Sequence, residues 1–238
     1  MPNRNFVKFT FLKVDPAWRR LPDDERERHK REFVAACDDF AEGRFLRVYS
    51  TVGTRGDCEL MLWMSSPGLG DIHEFHVVLA QSGLMAWADT PYSYLAMTKK
   101  SEYSDAGDRL EPRTARSKYL FVYPMWKKRE WYRLPDEERM RIMRGHIETG
   151  RQYPSVSINT TYSYGIDDQE FVVAFETDEP ADFLDLVHEL RATESSLYTD
   201  SETPIFTCIS SSARKALDAL DGQAPAVEAV PLDGASDT

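Results

Sequence analysis

The chain has 238 residues and a formal net charge of −11 at pH 7. That length allows one large domain or two small ones. The negative charge argues against a duplex nucleic-acid binder, which needs a basic face. No apolar run reaches transmembrane length and no signal-peptide apolar segment opens the chain, so the expectation is a cytoplasmic protein without membrane insertion. Cys37, Cys58 and Cys208 are odd in number, far apart and outside any metal-ligand or haem-attachment spacing, which reads as reduced thiols.

In chain order, Phe6–Val14 reads as a strand and Leu21–Phe40 as a helix, with Pro22 at its start and Gly43 past its end. Phe45–Val52 and Cys58–Met64 read as a hairpin, Ile72–Met85 as a helix and Tyr92–Met97 as a strand. Ser101–Ser117 is polar and basic without a period, a connecting loop. Lys118–Tyr123 is a strand that Pro124 is expected to end, because proline has no N–H for the ladder. A helix is expected over Pro135–Gln152, with Glu137 and Glu138 at its positive end. Val156–Tyr164, Glu170–Glu176 and Pro204–Ile209 are strands, Ala181–Thr193 and Ser211–Leu220 helices, and Gly222–Thr238 is expected to be a disordered tail.

The pattern occurs twice. Trp18-Arg-Arg-Leu-Pro-Asp-Asp-Glu-Arg26 returns as Trp131-Tyr-Arg-Leu-Pro-Asp-Glu-Glu-Arg139, 113 residues on, and Thr90-Pro91 returns as Thr203-Pro204. Asp57-x-Glu59 returns as Asp168-x-Glu170. An internal repeat of this length means two copies of one small domain. Each half reads β-α-β-β-α-β, the ferredoxin-like order, and leaves one sheet face needing a partner. The fold class is therefore α+β: two ferredoxin-like repeats forming a dimeric α+β barrel within one chain. The expected domains are 1–100, a structural half; 101–117, a connecting loop; 118–221, the working half; and 222–238, the tail.

The halves differ in chemistry. His146 stands where the first half has Phe33, in an apolar stripe with Met143 and Ile147. Tyr123 and Lys127 lie at a strand's end, where the first half has Val14 or its neighbours. A single imidazole without a second ligand is a poor zinc site, yet suffices for an iron whose other donors come from a porphyrin. The plain alternatives are a hydrogen-bonded core histidine, a tyrosine at a sheet edge and a solvated basic loop of Lys127, Arg109, Arg113 and Arg116. His73 and His76, three apart on a helix, read as surface residues.

With these pieces on view, the chain resembles the chlorite dismutase superfamily, and within it the coproheme decarboxylases of haem synthesis. The quotable segments are Arg-Leu-Glu-Pro (109–112), Tyr-Pro-Met-x-Lys (123–127), Trp-Tyr-x-Leu-Pro-x-Glu-Glu-Arg (131–139), helical His146, Gly-Ile-Asp-Asp-x-Glu (165–170) and Leu-Arg-x-x-Glu-x-Ser (190–196). The resemblance implies that His146 is the proximal iron ligand and Tyr123 a radical-forming phenol beside a substrate propionate. Lys127 would stand next to that propionate, Arg109 would hold a propionate, and Arg191 and Ser196 would bind another. Glu194 is expected to orient His146 through its second nitrogen.

The implied activity is hydrogen-peroxide-dependent decarboxylation of two propionates of Fe-coproporphyrin III (coproheme), as substrate and redox centre, to haem b as product. The alternatives are a haem b peroxidase or chlorite-active relative, or a non-enzymatic haem-binding protein. Homo-oligomers, pentamers by resemblance, are implied as well. One departure is plain: where chlorite-degrading members carry a distal arginine and many decarboxylases a glutamine, this chain reads Val-Ser-Ile-Asn-Thr-Thr (156–161), so Ile158 or Asn159 takes the place.

Overall fold

The computed structural model describes residues 4–101, 103, 112 and 116–223. The first half runs β1 (Phe6–Val14), α1 (Asp23–Ala41), β2 (Phe45–Ser50), β3 (Leu60–Ser66), α2 (Leu69–Leu79) and β4 (Ala88–Met97). The second runs β5 (Tyr119–Lys127), α3 (Asp136–Gly150), β6 (Ser157–Tyr162), β7 (Phe171–Thr177), α4 (Pro180–Ala192), a short β8 (Thr199–Ser201) and β9 (Phe206–Ser211), followed by α5 (Ala213–Leu220). The predicted α+β class with two ferredoxin-like repeats is the observed one. Most of the expected loop 101–117, Arg109 and Arg113 included, and the tail from 224 lie outside the described residues.

Each half pairs its strands in the order fourth, first, third, second: β4-β1-β3-β2 and β9-β5-β7-β6. β2 pairs with β9, and β4 with β6 through Met97 and Tyr162, so eight strands close into a barrel. Closure removes the open sheet edges that each half would expose alone. Alternation then sorts the side chains. Phe9, Phe11, Tyr49, Trp63, Leu120, Val122, Val172 and Phe206 fill the interior, all 0% exposed. Phe11 of the first half stacks on Phe206 of the second with ring centroids 4.0 Å apart. Burying one such side chain stabilises the fold by about 1.5–3 kcal/mol, and this pair draws on both halves at once.

The helices cover the outer face. α1, α2 and α5 pack over the first half around Leu12, Trp18, Phe33, Leu60 and Leu217. Lys30 on α1 is 0% exposed and donates to Asp218 and Asp221 at 2.9 Å each, pinning α5 to the first half. A buried ammonium persists only when paired in this way. In the second half α4 lies over Phe121, Tyr123, Val173 and Phe175, and α3 packs against α4.

Two sequence expectations need correction. β5 does not stop at Pro124 but continues to Lys127, with Pro124 opposite Val172. β9 has already left β5 at Val122, so on that side no ladder bond is lost to the missing N–H. The expected helix 72–85 ends at Leu79, and a separate 3-10 turn spans Gly83–Trp87. The chain there runs against α1: a Cβ on Gly83 would stand 2.1 Å from the His29 ring, so only glycine fits.

Candidate functional site

β5 sets the frame. Tyr123, Met125 and Lys127 alternate onto the outer, helix-covered face, while Leu120 and Val122 point into the barrel. Tyr123 is buried and stacks on Phe175 at 5.9 Å. Burial pushes its phenol well above the ordinary value, Glu202 adds to the shift, and Arg191 opposes it. Lys127 lies with its ammonium 5.1 Å over the Trp131 ring and within 3.3 Å of both the Ser195 carbonyl and the Thr199 hydroxyl. Burial lowers its pKa to about 8 against the pull of Glu202 and Glu170. Its backbone N–H donates to Glu170 Oε2 at 2.8 Å, which anchors the strand end.

His146 comes from α3. Its Nδ1 is 3.0 Å from Ser195 Oγ, Ser195 Oγ is 3.1 Å from Thr193 Oγ1, and Thr193 Oγ1 donates to the Leu190 carbonyl at 2.7 Å. A carbonyl only accepts, so the Thr193 proton is committed to Leu190. Ser195 then donates to Thr193, and His146 donates its Nδ1–H to Ser195. The relay fixes one tautomer and leaves the Nε2 lone pair free. Burial, with Lys127 nearby, holds the imidazole pKa down to about 4, so it is neutral at pH 7.

The expected orienter, Glu194, is elsewhere: it accepts from Arg141 at 2.7 and 2.9 Å. Ser195, one residue on, holds His146 instead. The turn at 194–198 places Ser195, 2% exposed, inward and Glu194 outward. Arg191 pairs with Glu202, and Ser196 places its hydroxyl 2.8 Å from the carbonyls of Arg191 and Thr193. Tyr123, Lys127, His146, Arg191, Ser195 and Glu202 therefore form one electrostatically linked cluster. Ser195, Thr193 and Glu202 were absent from the sequence prediction. Thr193 and Ser195 occupy unspecified positions inside the Leu-Arg-x-x-Glu-x-Ser segment, and Glu202 follows it.

Of the two residues expected at the distal position, Asn159 faces away from the cluster. It pairs with Ala174, whose side chain faces the barrel interior, and is 7% exposed. Ile158 and Thr160, paired with Phe175 and Val173, present the outer face. Ile158 is 43% exposed. The helix that precedes this strand, α3, is loosely seated. α1 buries His29, Lys30, Phe33, Ala36, Cys37 and Phe40, whereas its repeat mate α3 buries Ile142 alone. α3 packs chiefly on α4 and the 194–198 turn, and leaves Met143, His146 and Ile147 half-buried. His76, predicted to be a surface residue, is instead half-buried and bonded to Thr10.

A family model described as Chlorite dismutase matches residues 4–211. The coproheme decarboxylase of Mycolicibacterium smegmatis is 31% identical over 168 residues, covering 67% of this chain and 70% of that protein. Among solved structures, the chlorite dismutase of Candidatus Nitrospira defluvii in complex with imidazole superposes with a TM-score of 0.84 at 21% identity. It covers 91% of this chain and 95% of that one. A variant of the same enzyme in complex with cyanide gives 0.84 at 20% identity with the same coverage. Among the described residues no helix is long and apolar enough to cross a membrane, and no three His, Cys, Asp or Glu side chains cluster as a metal site.

Proposed function

Because the chain belongs to the chlorite dismutase family, whose members bind haem, we propose that it is a peroxide-dependent coproheme decarboxylase acting in the cytoplasm. The observation that carries this reading is the joining of a buried phenol, a desolvated lysine and a neutral histidine with a free Nε2 in one cluster. Similarity to the mycobacterial decarboxylase supports it. The outer face of β6 also argues against chlorite chemistry, because Ile158 and Thr160 stand there without an arginine.

The residues present suit an iron porphyrin. Half-buried Met143 and Ile147 on α3 and exposed Ile158 on β6 are apolar surfaces left short of partners, and a flat macrocycle would supply them. His146 Nε2 is the iron ligand. Lys127 and Arg191 receive propionate carboxylates, Arg191 exchanging Glu202 for the substrate. Ser196 meets a propionate by turning its hydroxyl from the backbone carbonyls. Arg109, in the segment preceding β5, is assigned a further propionate on the resemblance alone.

Coproheme, as substrate, brings the metal through which hydrogen peroxide oxidises the protein. Tyr123 gives up its phenolic proton and one electron, then takes a hydrogen atom from the β-carbon of the propionate. The carbon radical releases carbon dioxide and a second electron, leaving a vinyl group. One peroxide accepts both electrons and, with the released proton and one more from solvent, leaves as two waters. Lys127 holds the carboxylate beside Tyr123 until the C–C bond breaks. Repetition on a second propionate yields haem b. Assembly into a homo-oligomer, a pentamer by resemblance, belongs to the same reading.

Mass spectrometry of the chain mixed with coproheme and titrated with peroxide tests this. Two successive losses, each of carbon dioxide and two hydrogens, are expected. Unchanged coproheme, or oxygen release from chlorite by protein that retains haem b, would overturn the reading in favour of the peroxidase or chlorite-active alternative. A chain with no haem spectrum sensitive to His146→Ala would overturn it altogether.

A further inference from the structure

The first half contains a cavity that the proposed decarboxylation does not use. It measures about 660 Å³ and lies between α2 and the outer face of β1 and β4, lined among others by Lys8, Thr10, Ile72, His76, Ser93 and Leu95. Small-molecule sites commonly occupy about 300–1,000 Å³. The repeat explains why space remains here. Lys8 is the mate of Phe121, 113 residues on, and Ile72 the mate of Phe183, 111 residues on. In the second half Phe121 and Phe183 stack at 4.0 Å and fill the gap between strand and helix. In the first half an amine and a shorter aliphatic chain stand in their places, and the gap is open.

Its polar floor has a definite proton arrangement. His76 Nδ1 lies 2.8 Å from the Ile72 carbonyl, which only accepts, so Nδ1 carries the proton. Nε2 therefore accepts from the Thr10 hydroxyl at 2.9 Å. Thr10 and His76 thus satisfy one another and stay neutral; burial, with Lys8 and His73 alongside, holds the imidazole pKa below its ordinary value. Lys8 differs. Its ammonium donates to Ser93 Oγ, which leaves the Ser93 proton and two ammonium protons to give away. Among the described residues no carboxylate forms an ion pair with Lys8, and burial lowers its pKa while Asp167 tempers the effect from a distance. The walls are apolar, with Leu69, Ile72 and Leu95 facing the space.

We propose that this cavity is a second ligand site, separate from the cluster on β5, that takes a small amphipathic monocarboxylate. The carboxylate accepts from Lys8 Nζ and Ser93 Oγ, and the apolar body lies along Ile72, Leu69 and Leu95. A monoanion fits better than a phosphate dianion, since one cation stands in the cavity of a chain with net charge −11. The site stands whether or not the chain decarboxylates coproheme.

Calorimetric titration of the full chain with decanoate, against 1-decanol as the neutral control, tests it. One saturable site per chain is expected for decanoate, with the alcohol about tenfold weaker or worse, as the loss of a charge-assisted hydrogen bond requires. Lys8→Met should weaken decanoate about tenfold and Ser93→Ala several-fold. Leu95→Trp, which fills the space without touching the charge, should abolish binding; circular dichroism checks that each variant is folded. Absence of saturable binding, equal affinity for the alcohol, or binding that survives both Lys8→Met and Leu95→Trp would overturn the proposal. So would binding lost in Lys127→Met and kept in Lys8→Met, which places the carboxylate on β5 instead.

Discussion

The Nδ1–H of His146 donates to Ser195 Oγ at 3.0 Å, and Ser195 stands one residue beyond Glu194, which is drawn outward to Arg141. A neutral hydroxyl therefore orients the imidazole where a carboxylate was expected. A carboxylate would pull the Nδ1 proton and lend the ring imidazolate character; a hydroxyl fixes the tautomer with less electron donation to Nε2.

Ser195→Ala removes the acceptor from a buried Nδ1–H and frees the ring to change tautomer. Nitrogen-15 NMR of the ligand-free chain should show a single Nδ1–H tautomer of His146 in the wild type and a mixture in the variant. Coproheme affinity, followed by its absorption spectrum, should fall about tenfold. Ser195→Thr keeps the hydroxyl and should restore the single tautomer. A single unchanged tautomer in Ser195→Ala would show that the relay does not govern the ring.

Much of this architecture is written in the sequence, because alternation in Phe6–Val14 and repetition of the Trp-x-Arg-Leu-Pro segment are local patterns. What escaped depends on pairing across distance. The register of β6 against β7 decides that Asn159 faces the barrel and Ile158 the site, and a shift of one residue would reverse both. The passage of β5 through Pro124 depends on where β9 stops. Ser195 reaches His146 across 49 residues of chain, and no spacing rule links a 3-10 turn to a preceding helix.

Tyr123→Phe removes one oxygen and keeps the ring stacked on Phe175 at 5.9 Å. The fold should lose no more than about 1 kcal/mol, the usual worth of a single hydrogen bond. Coproheme should still bind with little change in affinity, while both decarboxylations stop, because phenylalanine has no O–H from which a proton and an electron can leave to form the hydrogen-abstracting radical. Spectral titration checks the first outcome and mass spectrometry after peroxide addition the second. Residual first-step product would shift the radical role to another residue.

Burial sets the Lys127 pKa to about 8, whereas the group ordinarily titrates near 10.5. Below about pH 8 both folded and unfolded chains carry the charge, and the folded state bears the full cost of desolvating it. Between about 8 and 10.5 the unfolded chain binds the extra proton, so this residue makes stability rise with pH. Lys127→Met should remove that dependence. Urea midpoints of the ligand-free proteins at pH 7 and pH 10 should show the variant's relative advantage shrinking at the higher pH. A gap that is constant with pH would mean that the ammonium is not disfavoured in the fold.

Phe206→Ala tests whether the two halves stand as one body. Phe206 is fully buried, stacks on Phe11 at 4.0 Å and lies under the Arg55 guanidinium at 4.7 Å. Truncation leaves a cavity in the barrel interior shared by both repeats and should cost about 3–5 kcal/mol. Because β2 pairs with β9 and β4 with β6, neither sheet keeps its partners if the other melts. Urea unfolding followed by tryptophan fluorescence should therefore remain a single transition moved to lower denaturant, with first-half Trp63 and second-half Trp131 reporting together. Two transitions, with one unmoved by the substitution, would show that each repeat folds alone and that the barrel is a contact between domains.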